Sequence, residues 1–467
     1  MTPSTTTLPT DDLASERFAR HAADTLRRGV GRRQMLQVAT ALGASGALLS
    51  ACAPSAGDRA NGGPATGDPA TAGSGEILQP GVGSIPGDHY LGSEPDQVMW
   101  GYVPTVHSEP VLTIGSGETV TVDAVSHEGI LEDQGRDPLA YFGEHGVEAG
   151  SVLEDAIAIA ADYDRTARDF AVDGPHVVTG PIAVEGAEVG DVLRIETLEA
   201  TPRVPYGVVS SRHGKGALAL TADGAAPEGV SPEQVMPPAP TDGRGGADPT
   251  AWGNVSVFTP IEDGHGVMAF DGGAARFPLR PFMGMMGVAR AEASSPTDPS
   301  ANSIPPTLGG GNIDIRLLGP GSTFYLPVNA PGALFYVGDP HHAMGDGEVA
   351  LTAMEGSLRG TFRLTVCKEG GGEAPRIAHR YPFAETADAW IPIGLSDPDG
   401  SVDGQGGDLD VALRTAVVNA LEFLEQELGM DRAIAYAYLS AAADFTISQV
   451  VDRTVGVHGI IAKSHFA

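Results

Sequence analysis

The chain has 467 residues, with 28 Lys+Arg against 60 Asp+Glu and a net charge of −32. That length supports a large core and two or three domains, while the acidic excess repels phosphate backbones and argues against nucleic acid as a partner. Gly (63) and Pro (36) make up about a fifth of the chain, which suits short strands and tight turns better than long helices.

Residues 1–52 read as an export signal. A polar start is followed by Gly31-Arg32-Arg33-Gln34-Met35-Leu36 and the small-residue apolar run Val38 to Leu49, a charged region followed by a hydrophobic one too short to span a bilayer. The Arg pair resembles a twin-arginine signal, and Leu49-Ser50-Ala51-Cys52 resembles a bacterial lipobox, so an exported protein whose only membrane attachment is a lipid on Cys52 is expected. Residues 53–76 are rich in Gly, Ala, Pro, Ser and Asp and form a tether with too little apolar surface to order itself. If Cys52 carries lipid, Cys367 has no disulfide partner.

Folding is expected over 77–467, as a β subdomain (about 77–225) followed by a β and α+β subdomain (about 251–467). Val111 to Ile114, Gly115-Ser116-Gly117 and Glu118 to Val125 spell strand, turn, strand, a hairpin. Glycine, a polar residue and a β-rich run recur at Gly190-Asp191 and Gly321-Ser322, so the architecture is expected to be mainly β and antiparallel, a sandwich or barrel-like arrangement. Residues 222–250, 291–312 and 370–408 read as loops. Leu413, Val417, Leu421, Leu424 and Leu428 then recur at helical spacing between Asp408 as N-cap and Gly429 as stop, and a second helix starts at Asp431 with Ile434, Tyr438 and Leu439 on one face. Both are packing helices, with an Ala-rich face suited to a sheet.

The densest chemistry lies in Val337 to Val349, where Asp339, His341, His342, Asp346 and Glu348 stand among three glycines. That stretch reads as a loop between a strand at 334–337 and another beginning at Val349. Imidazole and carboxylate groups gathered there suit a zinc-class ion, and a carboxylate outside its shell suits general base catalysis. The metal set predicted is His341 with His176, His127 and Asp339, with Glu348 or Asp346 as the proton carrier. Arg212 and Asn312 are the expected substrate-binding residues, through guanidinium donors and an amide. Cys367, in a strand-like run, reads as an inert buried thiol, and no Gly-x-Ser-x-Gly elbow or nucleotide-binding fingerprint is present.

Gly338 to Glu348 is similar to the Gly-Asp-x-His-Ala-Ala-Gln-Gly-Asp-Gly-Glu run of the acetamidase/formamidase family, departing from it at His342 and Met344. Further stretches that resemble the family are Gly180 to Ala187, Pro281 to Ala289, Gly309 to Asp314 and Pro320 to Pro327. The resemblance implies that family's fold and hydrolysis of small linear amides to a carboxylate and ammonia. Two other readings stay open: a surface lipoprotein that binds a metal or small ligand without turnover, and a hydrolase of other amides or esters on the same scaffold. Self-association into a homo-oligomer is also left open.

Overall fold

The computed structural model describes residues 77–466 apart from 213, 222, 238–253, 292, 296 and 399–406; the Arg pair, Cys52 and the tether lie outside them. The first strands are β1 (His89–Leu91), β2 (Val98–Trp100), β3 (Leu112–Ile114), β4 (Thr119–Ala124), β5 (Val177–Val184), β6 (Val192–Pro202) and β7 (Tyr206–Arg212). Next come β8 (Asn254–Glu262), β9 (His265–Phe270), β10 (Gly273–Pro278), β11 (Phe282–Gly287), β12 (Gly310–Asn312), β13 (Thr323–Pro327) and β14 (Phe335–Ala343). The last are β15 (Met354–Glu355), β16 (Leu358–Cys367), β17 (Phe383–Glu385), β18 (Ala389–Leu395), β19 (Asp444–Gln449) and β20 (Gly456–Ala462). Helices are α1 (Pro138–Glu144), α2 (Glu154–Asp162), α3 (Leu409–Leu428) and α4 (Arg432–Ala442). Among the described residues no helix is long and apolar enough to cross a membrane.

The fold is mainly β, in two large sheets. One runs β1-β4-β16-β6-β13-β17-β18-β20-β19, and the other β10-β9-β8-β7-β15-β14-β11-β12, with β5 joining β14 to β2 and β3. Nearly all neighbours are antiparallel, the exceptions being β1 with β4 and β3 with β5. The turn-initiated strands β6 and β13 lie side by side. Val120, Val122, Ile195, Phe324 and Phe362 from the first sheet meet Ile182, Met283, Met286, Phe335 and Val337 from the second in one core. The Phe335 and Phe362 rings meet edge to face at 5.8 Å. Each fully buried side chain of that size stabilises by roughly 2–3 kcal/mol. Both sheets contain strands from 77–225 and from 251–467.

The expected hairpin is not one. β3 pairs with β5 and β4 pairs with β1 and β16, so Gly115-Ser116-Gly117 carries the chain from one sheet to the other. The tightness of that turn is local: the Glu118 carboxylate accepts from the Gly115 N–H at 2.7 Å. The stretch after Gly370, expected as loop, contains β17 and β18, the latter driven by the apolar run Ala-Trp-Ile-Pro-Ile-Gly-Leu. Between β4 and β5 lie α1, opened by Asp137 as N-cap with Pro138 behind it, and α2, which buries Ala156, Ile159 and Ala160.

Both C-terminal helices begin where expected, and the first also ends there: Asp408 accepts from the N–H groups of Asp410 and Val411, Gly429 closes α3 in the left-handed region, and Asp431 caps α4. Their buried faces match the expected ones in part. α3 buries the expected Leu421 and Leu424 together with Ala412, Ala416 and Ala420, while Leu413 and Leu428 stay exposed; α4 buries the expected Leu439 together with Ala435, while Ile434 is 60% exposed. Small residues take the start of the α3 face because the helix there lies almost on the sheet. A β-carbon at Gly394 of β18 would meet the Ala412 carbonyl oxygen and the Ala416 nitrogen at 2.2 Å. Gly394→Ala is therefore expected to lower folding stability by about 1–3 kcal/mol, measured as a reduced midpoint in urea; an unchanged midpoint would show that helix and sheet are not in such close contact.

Candidate metal centre

Strand alternation sends Asp339 and His341 of β14 to one side and His342 to the other. His342 packs against Gly356, its Nε2 3.3 Å from the Ser357 carbonyl oxygen. The expected loop is thus a strand through Ala343, with loop only at 344–353; Val349, instead of opening the next strand, is 62% exposed. Glu355 faces His341 directly across the β14–β15 pair. His341 Nε2 therefore lies 3.1 Å from both Glu355 Oε1 and Asp339 Oδ2. On the other flank β11 places Gly284 under the cluster, where a β-carbon would stand 2.5 Å from Asp314 Oδ1 and from His341 Cε1.

Other segments complete the cluster. His127 follows β4, His176 precedes β5, Asp314 follows β12 and Asp452 follows β19. Asp339 Oδ1 is 3.5 Å from His127 Nδ1 and 3.7 Å from His176 Nε2. His341 is 3.8 Å from Glu348 Oε1 and 3.9 Å from Asp314 Oδ1. All are buried. The loop carrying Glu348 is stitched to the C-terminal hairpin, since the Gly347 N–H donates to Ser448 O and the Val450 N–H donates to Gly347 O.

The two outer imidazoles have positioning partners. His176 Nδ1 is hydrogen-bonded to Ser303 Oγ at 2.9 Å, which turns Nε2 toward Asp339. His127 Nε2 lies 3.5 Å from Glu128 Oε1, leaving Nδ1 for the cluster. Glu128 is itself held by Ser210 Oγ at 2.7 Å, by Gln134 and by Arg212. A carboxylate behind a ligand histidine fixes its tautomer and orientation.

Backbone strain concentrates here. Of the non-glycine described residues with positive φ, Asp314 (48°), Asp339 (50°), Glu348 (46°), Leu351 (119°) and Arg453 (67°) all belong to the cluster or to the wall of the adjoining cavity. Such conformations persist only where the surroundings impose them, and they gather at functional sites.

Five acids, Asp314, Asp339, Glu348, Glu355 and Asp452, crowd around three imidazoles. Burial alone would push His127 down, but the carboxylates of Asp339 and Glu128 hold it up, at about 10. Burial wins at His176, pushed down to about 4. Asp339 is held well below the usual carboxylate range against its burial, because His176, His341 and His127 surround it. The remaining acids are pushed up by burial and by each other, Asp452 to about 8. Positive charge is short.

The residues fit a bound cation. Four sets converge closely enough to share an ion: His127/His176/Asp339, Asp314/Asp339/His341, His341/Glu348/Glu355 and Asp314/Glu348/Asp452. His127 Nδ1, Asp339 Oδ1, His341 Nδ1, Glu355 Oε2 and both Asp314 oxygens are buried without a hydrogen-bond partner, a cost that coordination would remove. Two imidazoles and a carboxylate are a zinc-type donor set.

Of the residues expected from the sequence, His127, His176, Asp339, His341 and Glu348 come together. Asn312 lines the adjoining cavity, its Nδ2 donating to Ile304 O and its Oδ1 unpaired. Arg212 also lines it, but its guanidinium is spent on Asp133 (2.7 Å) and Glu128 (3.4 Å). Asp346 stands apart, partly exposed and clamped by Nε and one terminal nitrogen of Arg316 at 2.7 and 2.6 Å. Glu355 and Asp452 are not singled out by the sequence, and Asp314 enters there only as part of a family-like stretch. For Glu355 the signal was strand alternation opposite His341. Asp452, more than a hundred residues downstream, had none.

The cluster opens on a cavity of about 380 Å³. Fold and site define a two-sheet β protein with a buried histidine and carboxylate centre beside a ligand-sized hollow. The model of the Acetamidase/Formamidase family matches residues 272–460 of the chain. The chain is 30% identical over 222 residues to a formamidase candidate of Schizosaccharomyces pombe, covering 42% of this chain and 52% of that one, so it spans about half that relative's length. It is 26% identical over 344 residues to a formamidase of Methylophilus methylotrophus, covering 62% and 77%. The acetamidase of Yersinia enterocolitica shares the fold, with a TM-score of 0.58 at 24% identity over 81% of this chain and 93% of that one.

Gly284→Ala is expected to displace Asp314 and His341, weakening zinc binding in equilibrium dialysis by about 10- to 100-fold, the loss typical when the supports of a metal ligand move. Zinc binding as tight as in the unaltered protein would show that this floor does not hold the centre.

Proposed function

We propose that the chain is an amidase that hydrolyses linear amides to a carboxylate and ammonia, with a divalent metal, zinc by its donor set. The observation that carries this reading is the buried meeting of three histidines and five acids beside a cavity. The names of the formamidase and acetamidase relatives support it. His127, His176, Asp339 and His341 would hold the ion, which when bound supplies Lewis acidity toward a water and an amide oxygen.

Glu348 lines the cavity and lies 3.8 Å from His341. Its carboxyl is pushed well above the usual range by burial and by Asp452 and Asp339, which suits a group that must both take and return a proton near neutral pH. It accepts the proton of the water that attacks the carbonyl carbon. The same proton goes to nitrogen as the C–N bond breaks, since an amide anion leaves poorly. Asn312 Oδ1 can accept an N–H of the substrate amide, and Asp346, held by Arg316, takes no part.

Ammonia release from formamide, acetamide and longer amides tests this. Glu348→Gln should lower kcat by about 10²- to 10⁴-fold, and a chelator should abolish turnover until zinc is returned. A wild-type protein inert toward every amide would overturn the proposal in favour of a ligand-binding role.

We also infer that the protein is exported and held at the membrane by a lipid on Cys52, supported by Arg32-Arg33, the apolar run after them and Leu49-Ser50-Ala51-Cys52. Replacing both arginines by lysine should leave precursor in the cytoplasm of an expressing bacterium; undiminished export would count against the twin-arginine route.

A further inference from the structure

The cavity beside the centre is large for the amides that give the relatives their names. Acetamide has four non-hydrogen atoms and displaces roughly the room of three waters at about 30 Å³ each, whereas the cavity measures about 380 Å³. Most of the hollow would stay empty around it. The cavity wall carries apolar side chains besides the histidines and acids: Phe170, Ile304, Leu351, Val450 and Val451 line it, each only partly buried.

Three cations also line it, and they differ in what they hold. Arg212 is committed to Asp133 and Glu128, and Lys215 has a partner of its own. Arg453 makes no hydrogen bond and no salt bridge with any described residue. Its backbone is held at φ 67°, directly after Asp452, and its side chain is half-buried on the cavity wall. A guanidinium partly withdrawn from water, with the Asp452 charge nearby but no hydrogen-bond partner among the described residues, carries a desolvation cost, which a ligand carboxylate would offset through two parallel N–H···O bonds. Leu351, at φ 119°, is likewise held out of its ordinary backbone range on this wall. Two strained residues on a surface the small-amide reaction does not need point to a second recognition element.

Resting on the amidase reading above, we propose that the preferred substrate is an amide whose acyl chain ends in a carboxylate, the chain lying along the apolar wall and the carboxylate paired with Arg453. The terminal amide then reaches the centre as Arg453 holds the far end. Specificity for the carboxylated acyl group would come from binding energy remote from the reacting carbon.

The test compares acetamide, hexanamide and the monoamide of adipic acid, together with calorimetric titration of adipate itself, which needs no turnover. The wild type should show kcat/KM for the adipic monoamide about 10- to 100-fold above that for hexanamide. Arg453→Met should erase that ratio and weaken adipate binding by a similar factor, and Arg453→Lys should recover part of both. Hydrolysis of acetamide and hexanamide with no gain from the carboxylate, and adipate binding indifferent to Arg453, would overturn this inference and leave the amidase reading intact. Arg453-dependent adipate binding without hydrolysis of any amide would uphold the site and overturn the amidase reading.

Discussion

Asp339 is the residue on which the site turns. One carboxylate oxygen faces His127 and His176, the other faces His341, so a single side chain couples imidazoles from three separate segments. Around it four more acids are buried within reach of each other. Taking a carboxylate out of water costs several kcal/mol even after relaxation, and three imidazoles, one of them pushed toward neutrality, do not offset five acids. A cation at the centre would resolve that imbalance, and shared protons among Asp314, Glu348 and Asp452 would resolve it only in part.

The scaffold serves this arrangement by making the centre a property of both sheets. β14 and β15 supply Asp339, His341 and Glu355 from the sheet itself, where positions are set by ladder register. His127 arrives from the end of β4 in the opposite sheet. Near that end Asp123 is locked by Arg359 through bonds of 2.6 and 2.8 Å. Glu348 instead stands on a loop tied at Gly347 to the C-terminal hairpin, which brings Asp452 and Arg453 to the same cavity. Asp339, His341 and Glu355 sit on strands, whereas His127, His176, Asp314, Glu348 and Asp452 sit on the segments that flank strands.

Much of this was legible in the sequence and some was not. The caps of α3, Asp408 and Gly429, could be read because capping is local chemistry within three or four residues. The helix faces could be read only in part: Leu421, Leu424 and Leu439 are buried as expected, but Leu413 looks like a core residue until Gly394 shows how closely α3 lies on the sheet. The supposed hairpin at 111–125 failed for a similar reason: glycine turn chemistry specifies a reversal of the chain but not which sheet each arm joins. Asp339 and His341 were found because they are close in sequence and rich in donor atoms. Asp346 was included by the same proximity and proved to be spent on Arg316. Glu355 and Asp452 needed cross-strand register and long-range topology, which composition and spacing do not encode.

The account depends most on a cation balancing the buried acids. Anomalous X-ray diffraction at the zinc edge, from crystals of protein loaded with zinc, addresses that balance directly. It should reveal a peak at bonding distance from His127, His176 and Asp339. Crystals that stay free of anomalous signal there, with the carboxyl groups bonded to one another through shared protons, would contradict it.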